Sequence, residues 1–361
     1  MAEQRQLLVF TGSYAEASDQ GLRVFRLDES SGQLTETGSY AGLKNPTFIH
    51  VDAERKLLYS ISEGVNADGQ KAGEAASFRI DVQEGTLRRI SQRLTVAGTT
   101  CHIQRDQGNR FLTVTSYHGG MTGLLRIEGD GSIGELADVR QHEGSSVDAE
   151  RQDRPHPHSS FYSPDGRFLL VQDLGLDVIA VYRLDAEEGK LVAHDTVKLH
   201  GGAGPRHLTF HPSGKFAFVI NELDSSITSL AYDASEGKLE VLGTVSTLPA
   251  DYTGENGTAE IAISGDGRYL YGSNRGHDSI VVFGVNPENG SLSLIQHISS
   301  GGGHPRHFSL TPNGQYLLAA NRDANNIVTF RVDAEKGTLQ ATGYEAEATK
   351  PVCVIPVYFN A

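Results

Sequence analysis

One pattern of four short apolar runs recurs seven times along the chain, and this recurrence limits the possible folds more than any other feature. The clearest copy reads Pro205-Arg206-His207-Leu208-Thr209-Phe210, the turn His211-Pro212-Ser213-Gly214-Lys215, and then Phe216 to Asn221. After a polar loop come Ile227 to Tyr232, the turn Asp233 to Lys238, and Leu239 to Val245. Short runs rich in Val, Ile, Leu and Phe between Gly, Pro, Asp and Ser are strand signals, so the unit is four strands, A to D. The C–D turn marks the other copies at Asp28 to Gly32, Asp81 to Gly85, Asp185 to Gly189, Asn286 to Gly290 and Asp333 to Gly337. A degenerate version, Gly129-Asp130-Gly131 through Gly134, fills the remaining slot. The A–B turn repeats as Ser163 to Arg167, Ser264 to Arg268 and Thr311 to Gln315, with Pro or Asp early and Gly where a positive φ follows.

A period of about 50 residues belongs to propeller blades rather than to a solenoid. The chain opens on a strand B, Leu7 to Gly12, and the missing strand A stands at the other end as Pro351 to Pro356. The sequence therefore predicts an all-β, seven-bladed β-propeller with four antiparallel strands per blade. The C-terminal strand joins blade 1 and closes the ring, so no sheet edge is left open between the termini. Residues 1–361 read as one domain, although the length alone suggests two or three.

Composition narrows the function. Lys and Arg number 31 against 45 Asp and Glu, a net charge of −14, which lacks the basic footprint that nucleic acid requires. Met1 to Gln6 is polar, and the apolar run Leu7 to Phe10 is too short for a signal or a membrane span. Two cysteines, Cys101 and Cys353, make neither a disulfide framework nor a zinc site, and a cytoplasmic setting is expected. The chain contains no Gly-x-Ser-x-Gly elbow, no P-loop and no His-Glu-x-x-His.

In a propeller blade strand A is innermost, so the starts of A and the ends of B meet at one face beside the channel. The tight A–B and C–D turns repeat almost unchanged at the opposite face and read as structural. At the variable face the A-starts supply His102, His156, His158, Arg206, His207, Glu260, Arg306 and His307. The B-ends supply Tyr14, Glu63, Tyr117, His118, Asp173, Asn221, Glu222, Asn274, Arg275 and Arg322. Three longer insertions, Gly64 to Glu74, Gln141 to Pro155 and Thr247 to Thr258, belong to the same rim. His207 and His307 each follow an Arg, so strand alternation is expected to turn them into blade packing. In Arg154-Pro155-His156-Pro157-His158 the spacing of two on a strand puts both histidines on one side, and no metal site is expected. Several arginines converging in an acidic protein call for an anionic ligand, because clustered like charges are costly unless an opposite charge answers them.

The run Gly202-Ala203-Gly204-Pro205-Arg206-His207, then Phe210-His211-Pro212, Asn221-Glu222-Leu223 and Ser225-Ser226, resembles the signature of the bacterial propeller-type 6-phosphogluconolactonases, relatives of the fungal carboxymuconate cyclases. The resemblance spans all seven repeats. It implies a cytoplasmic carboxylic ester hydrolase that opens 6-phosphogluconolactone without metal or other cofactor. It further implies catalytic residues at His158, Arg206 and Glu222, with Arg275 in a further arginine position. Lactone opening needs a base for water and cations for the developing oxyanion. His158 or Glu222 is the base in this reading, and Arg206 faces the oxyanion. Arg275 and Arg306 hold the phosphate, and His102, Tyr117 and Asn221 complete the substrate-binding set. Two alternatives stand beside it: a lactonase or cycloisomerase acting on a carboxylated muconolactone, and a non-catalytic propeller that binds a sugar acid or a protein.

Overall fold

The apolar runs do form strands. The computed structural model describes residues 5–360 and contains twenty-eight strands and, among the described residues, no helix. They make seven four-stranded antiparallel sheets arranged as a ring of blades. Arg5–Ser13 lies between Gln20–Leu27 and the last strand, Pro351–Asn360, so both ends of the chain build blade 1. Their pairing runs from Arg5 opposite Asn360 to Ser13 opposite Pro351. The closing strand continues past Pro356, where the sequence reading ends it. As the innermost strand it has one edge facing the channel, and an edge tolerates a residue without an N–H. The extension is anchored by Phe359, whose ring packs edge-on against Phe10 at 6.0 Å.

The core is divided among the interfaces between blades, with one apolar cluster at each of the seven. At the seam between blades 7 and 1 the cluster contains Leu7, Val9, Phe25, Tyr316, Leu318, Ile327 and Val354. Phe216, Phe218, Ile220, Leu270 and Val281 make its counterpart between blades 5 and 6. Burying each large side chain stabilises by roughly 1.5–3 kcal/mol, so the seam where the termini meet is as well packed a joint as the others.

The C–D turns link neighbouring blades as well. In blade 6 the Gly290 N–H donates to Asn286 O at 2.9 Å, and the Asn286 side chain accepts from Glu288 N at 2.9 Å. Gly290 has φ +69°, and a Cβ there would stand 2.8 Å from the Phe216 ring of blade 5. Gly32 approaches Tyr316 of blade 7 in the same way, at 2.7 Å, so the pattern crosses the seam.

One irregularity decides where the polar side chains go. The inner strands of blades 4, 5 and 7 (Pro157–Tyr162, Pro205–Phe210 and Pro305–Leu310) each slip register after their first proline. A β-bulge places two residues opposite one and breaks the strict alternation of sides. Arg206 and His207 therefore both line the channel, as do Arg306 and His307. The expectation that His207 and His307 turn into blade packing is corrected, because alternation holds only along a regular strand.

Candidate active site

A cavity of about 460 Å³ opens where the inner strands begin, at the face opposite the tight turns. Its wall includes His158, Arg206, Glu222, Arg275, Arg306 and Tyr117 from the sequence-derived set, together with Arg151, Cys101, Tyr14, Glu63, His207 and His307. Four arginines face two glutamates in this wall, in a protein whose net charge is −14.

Glu222, at the end of strand B of blade 5, is the centre of the arginine layer. Its Oε2 accepts from Arg206 Nε at 3.0 Å and Arg275 Nη2 at 2.8 Å, and its Oε1 accepts from Arg151 Nη2 at 2.7 Å. Burial pushes this carboxyl up, but Arg275 and Arg206, with His158 and Arg151, outweigh it and hold it well below the ordinary carboxylate range. Arg206 also donates Nη1 to Ala259 O at 2.6 Å, which leaves Nη2 without a partner among the described residues. Burial, with Arg275 and Arg306 beside it, pushes Arg206 down to about 9, so it still carries its charge at neutral pH. Arg275 is fixed on the backbone as well, donating to Gly257 O at 3.1 Å and Thr258 O at 2.6 Å. Arg306 differs from these. Its guanidinium stands 5.7 Å from the centroid of the Tyr14 ring and has no hydrogen-bond or ion-pair partner among the described residues.

Beside the arginines lies a layer of imidazoles. His158 occupies the blade 4 bulge and is 5% exposed. Burial, reinforced by Arg206, holds it well below the ordinary histidine pKa, so the ring is neutral at pH 7. Glu260 of blade 6 joins His207 and His307, at 3.0 Å to His207 Nδ1 and 3.1 Å to His307 Nε2. Burial depresses both of these imidazoles too. Cys101 is a poor nucleophile here, since burial raises its thiol to about 12.

Two sequence-derived candidates lie outside this wall. Asn221 is fully buried, and its amide donates to Ser226 Oγ at 2.9 Å and Thr228 Oγ1 at 3.0 Å, so it joins strands B and C of its own blade. His102 sits among the rings of Phe48, Phe161 and His207, with its Nδ1 accepting from Ser160 N at 3.4 Å. Both corrections have one cause: a residue's rank along a strand does not state which way its side chain turns. His156 also behaves differently from His158, as it precedes the strand and stacks on Tyr117 with ring centroids 4.3 Å apart.

Arg151 is a charged residue of the cavity wall that the sequence reading did not single out, although the insertion carrying it was marked. That insertion is tied down by blade 4. Asp177 accepts from Gln152 Nε2 at 2.7 Å, Ser146 Oγ at 2.6 Å, Gly202 N at 2.8 Å and Gly204 N at 2.7 Å. Asp173 takes His142 Nδ1 at 2.6 Å. The arm so held delivers Arg151 to Glu222 and to Tyr117 Oη, the latter at 3.3 Å. Of the other insertions, Gly64 to Glu74 prolongs a hairpin, with Val65 paired to Lys71.

A ring of seven blades with a cationic, imidazole-floored cavity at one mouth defines a class that comparison with known proteins makes specific. Residues 8–356 match the family described as "Lactonase, 7-bladed beta-propeller". The chain belongs to this family and is an enzyme of the lactonase kind, a carboxylic ester hydrolase. It is 34% identical to a 6-phosphogluconolactonase of Bacillus subtilis over 299 residues, 83% of each chain. It is 36% identical to a 6-phosphogluconolactonase of Formosa agariphila over 308 residues, 84% of this chain and 86% of that one. A periplasmic gluconolactonase of Pseudomonas aeruginosa has a similar structure, with TM-score 0.91, 32% identity and coverage of 98% of this chain and 99% of the other.

Proposed function

We propose that the chain hydrolyses a phosphorylated sugar lactone, 6-phosphogluconolactone, to the open acid, using water activated by His158 and no metal. The observation that carries this reading is Arg306: a guanidinium facing the cavity with no hydrogen-bond or ion-pair partner among the described residues, beside three arginines already engaged by Glu222. A fork of free N–H donors suits a phosphate or a carboxylate. The names of the Bacillus and Formosa relatives point to the phosphorylated lactone. Glu222 is poorly suited as the base, because both oxygens are taken by arginines and its carboxyl has little affinity for a proton. Neutral His158 is in the right state to take one.

In this mechanism His158 removes a proton from water as the water oxygen attacks the lactone carbonyl carbon. Arg206 Nη2 meets the oxyanion. The ring C–O bond then breaks, and the departing oxygen takes the proton back from His158, leaving a hydroxy acid. Glu222 holds Arg206, Arg275 and Arg151 in register. Both cysteines are free thiols, in keeping with a reducing compartment, and a cytoplasmic location is part of the proposal.

The test is a hydrolysis panel corrected for spontaneous opening: 6-phosphogluconolactone, gluconolactone and a carboxylated muconolactone. A kcat/KM at least about tenfold higher with the phosphate is expected, the scale of one good charged contact. Equal values for the two sugar lactones would remove the phosphate from the reading. Preference for the muconolactone would leave the arginines as carboxylate receptors.

A further inference from the structure

Two imidazole nitrogens in the channel have no hydrogen-bond partner among the described residues although both are buried: His158 Nδ1 and His207 Nε2. Unpaired buried polar atoms are uncommon enough in folded proteins that each calls for a reason. These two belong to neighbouring rings, with centroids 5.4 Å apart and planes 66° apart. Rings this close bring the two nitrogens into direct hydrogen-bond contact on a small rotation of either.

The hydrogen bonds behind His207 determine which atom of its ring carries the proton. His307 Nδ1 accepts from Val354 N at 3.3 Å, so the His307 proton is on Nε2 and points at Glu260 Oε2, 3.1 Å away. Glu260 Oε1 accepts from Ile261 N at 3.0 Å. A carboxylate receiving these donors is an acceptor toward His207 as well, so His207 Nδ1 carries its proton toward Glu260 at 3.0 Å. His207 Nε2 is then a bare, buried lone pair, and His158 Nδ1 is the buried unpaired nitrogen of an adjoining ring. The partner that answers it is an N–H on His158 Nδ1.

We infer that Glu260 and His207 are positioning residues that fix the tautomer of His158, holding its proton on Nδ1 and leaving Nε2 as the free acceptor. This rests on the proposed role of His158 as base and adds the reason why the correct nitrogen is free. The arrangement follows the general logic in which a base is oriented by a third group through its other ring nitrogen. Nothing in it requires Glu260 to take the proton. The depressed pKa values of His158 and His207 agree with two neutral rings sharing one hydrogen-bonded line.

The decisive measurement is long-range 1H–15N NMR of the imidazoles in the full-length protein. His158 protonated on Nδ1 is expected, and His158 protonated on Nε2 in the parent overturns the inference without need of any variant. In Glu260→Gln and His207→Phe the His158 signals should move toward a tautomer mixture. In the same variants kcat should fall by about tenfold to a hundredfold with KM within about twofold, the usual scale for impaired acid–base help. Unmoved tautomer signals in both variants also overturn it. His158→Ala separates the two claims: retained turnover there removes the base assignment, while the tautomer of the parent still decides whether Glu260 and His207 set it.

Discussion

The two faces of the ring are built by different rules. At the tight-turn face the same short solution recurs: an Asp or Asn accepts from the turn, and a positive-φ Gly packs on a side chain of the neighbouring blade, an aromatic ring in cases such as Gly290 on Phe216 and Gly32 on Tyr316. At the cavity face the blades contribute differently, apart from the bulged Arg-His pair that blades 5 and 7 share. Blade 4 gives His158 and the arm with Arg151, blade 5 gives Arg206 and Glu222, blade 6 gives Arg275 and Glu260, and blade 7 gives Arg306. Repetition marks what each blade needs in order to pack. Departures from it mark what only one cavity needs.

The largest effect expected from breaking this scheme comes from the strand that serves both faces. Removing 350–361 takes away the inner strand of blade 1, which carries Cys353 and Val354 in two interblade clusters. It leaves Arg5–Ser13 with an unpaired edge beside the channel. No soluble folded protein is expected by circular dichroism. A truncated chain that melts like the parent would mean that the ring does not depend on its closure.

Next come paired substitutions, one on each face. His158→Ala should lower kcat by about 10²-fold or more, the contribution typical of a positioned base, with the melting temperature little changed. Gly290→Ala should do the reverse. It forces a side chain into left-handed backbone and against Phe216, costing about 1–3 kcal/mol of stability while kcat stays near parental. Loss of stability in the first or of turnover in the second would blur the division between the faces.

The fold was legible because its rule is local and written seven times. The Asp-to-Gly turns and apolar runs give blade number, strand order and the circular closure without knowledge of any distant contact. Much of the cavity was legible as well, since the face follows from strand direction, and His158, Arg206, Glu222, Arg275, Arg306 and Tyr117 do meet there. The bulges at Pro157, Pro205 and Pro305 were not legible. An extra residue in a strand has no compositional mark, so alternation turns His207 and His307 into packing on paper but not in the bulged strand. Arg151 escaped for another reason. Its place depends on the arm being tied to Asp177 and Asp173, and an insertion's anchors cannot be read from its length.

Acid should separate the faces a second time. His102, His158 and His207 are held well below the usual histidine pKa and His307 is pushed down to about 4, burial being the first cause in each. Below pH about 6.5 the unfolded chain binds protons that these rings refuse, so stability should fall as pH drops from about 6.5 toward 4. Turn carboxylates such as Asp233 lie below 3.8, lowered mainly by hydrogen bonds from Ser235, so any contribution from them is lost only in more acidic solution. Melting temperatures from pH 8 to pH 3 should show the channel window first. The Glu260 carboxyl, pushed up by burial, offsets part of this loss, so stability that rises as pH falls to 4 would mean that the imidazoles are not held neutral.

The smallest effect tests a difference within the cavity face itself. The sequence treats Arg275 and Arg306 alike, as two arginines for one phosphate, but their surroundings differ. Arg275 is engaged by Glu222, Gly257 O and Thr258 O, whereas Arg306 stands over the Tyr14 ring and has no hydrogen-bond or ion-pair partner among the described residues. Arg306→Ala removes no hydrogen bond to any described residue and relieves repulsion on Arg206 and Arg275, so the melting temperature should not fall. Its cost should appear in ligand affinity, with 6-phosphogluconate or inorganic phosphate bound about tenfold more weakly by calorimetry, as expected for one lost charge-assisted contact. Arg275→Ala should lower stability and anion affinity together, because it strips Glu222 of one of its three arginines and frees two backbone carbonyls. If Arg306→Ala binds the anion as tightly as the parent, the free guanidinium is not the anion's seat, and Arg151 or Arg206 Nη2 must take that role.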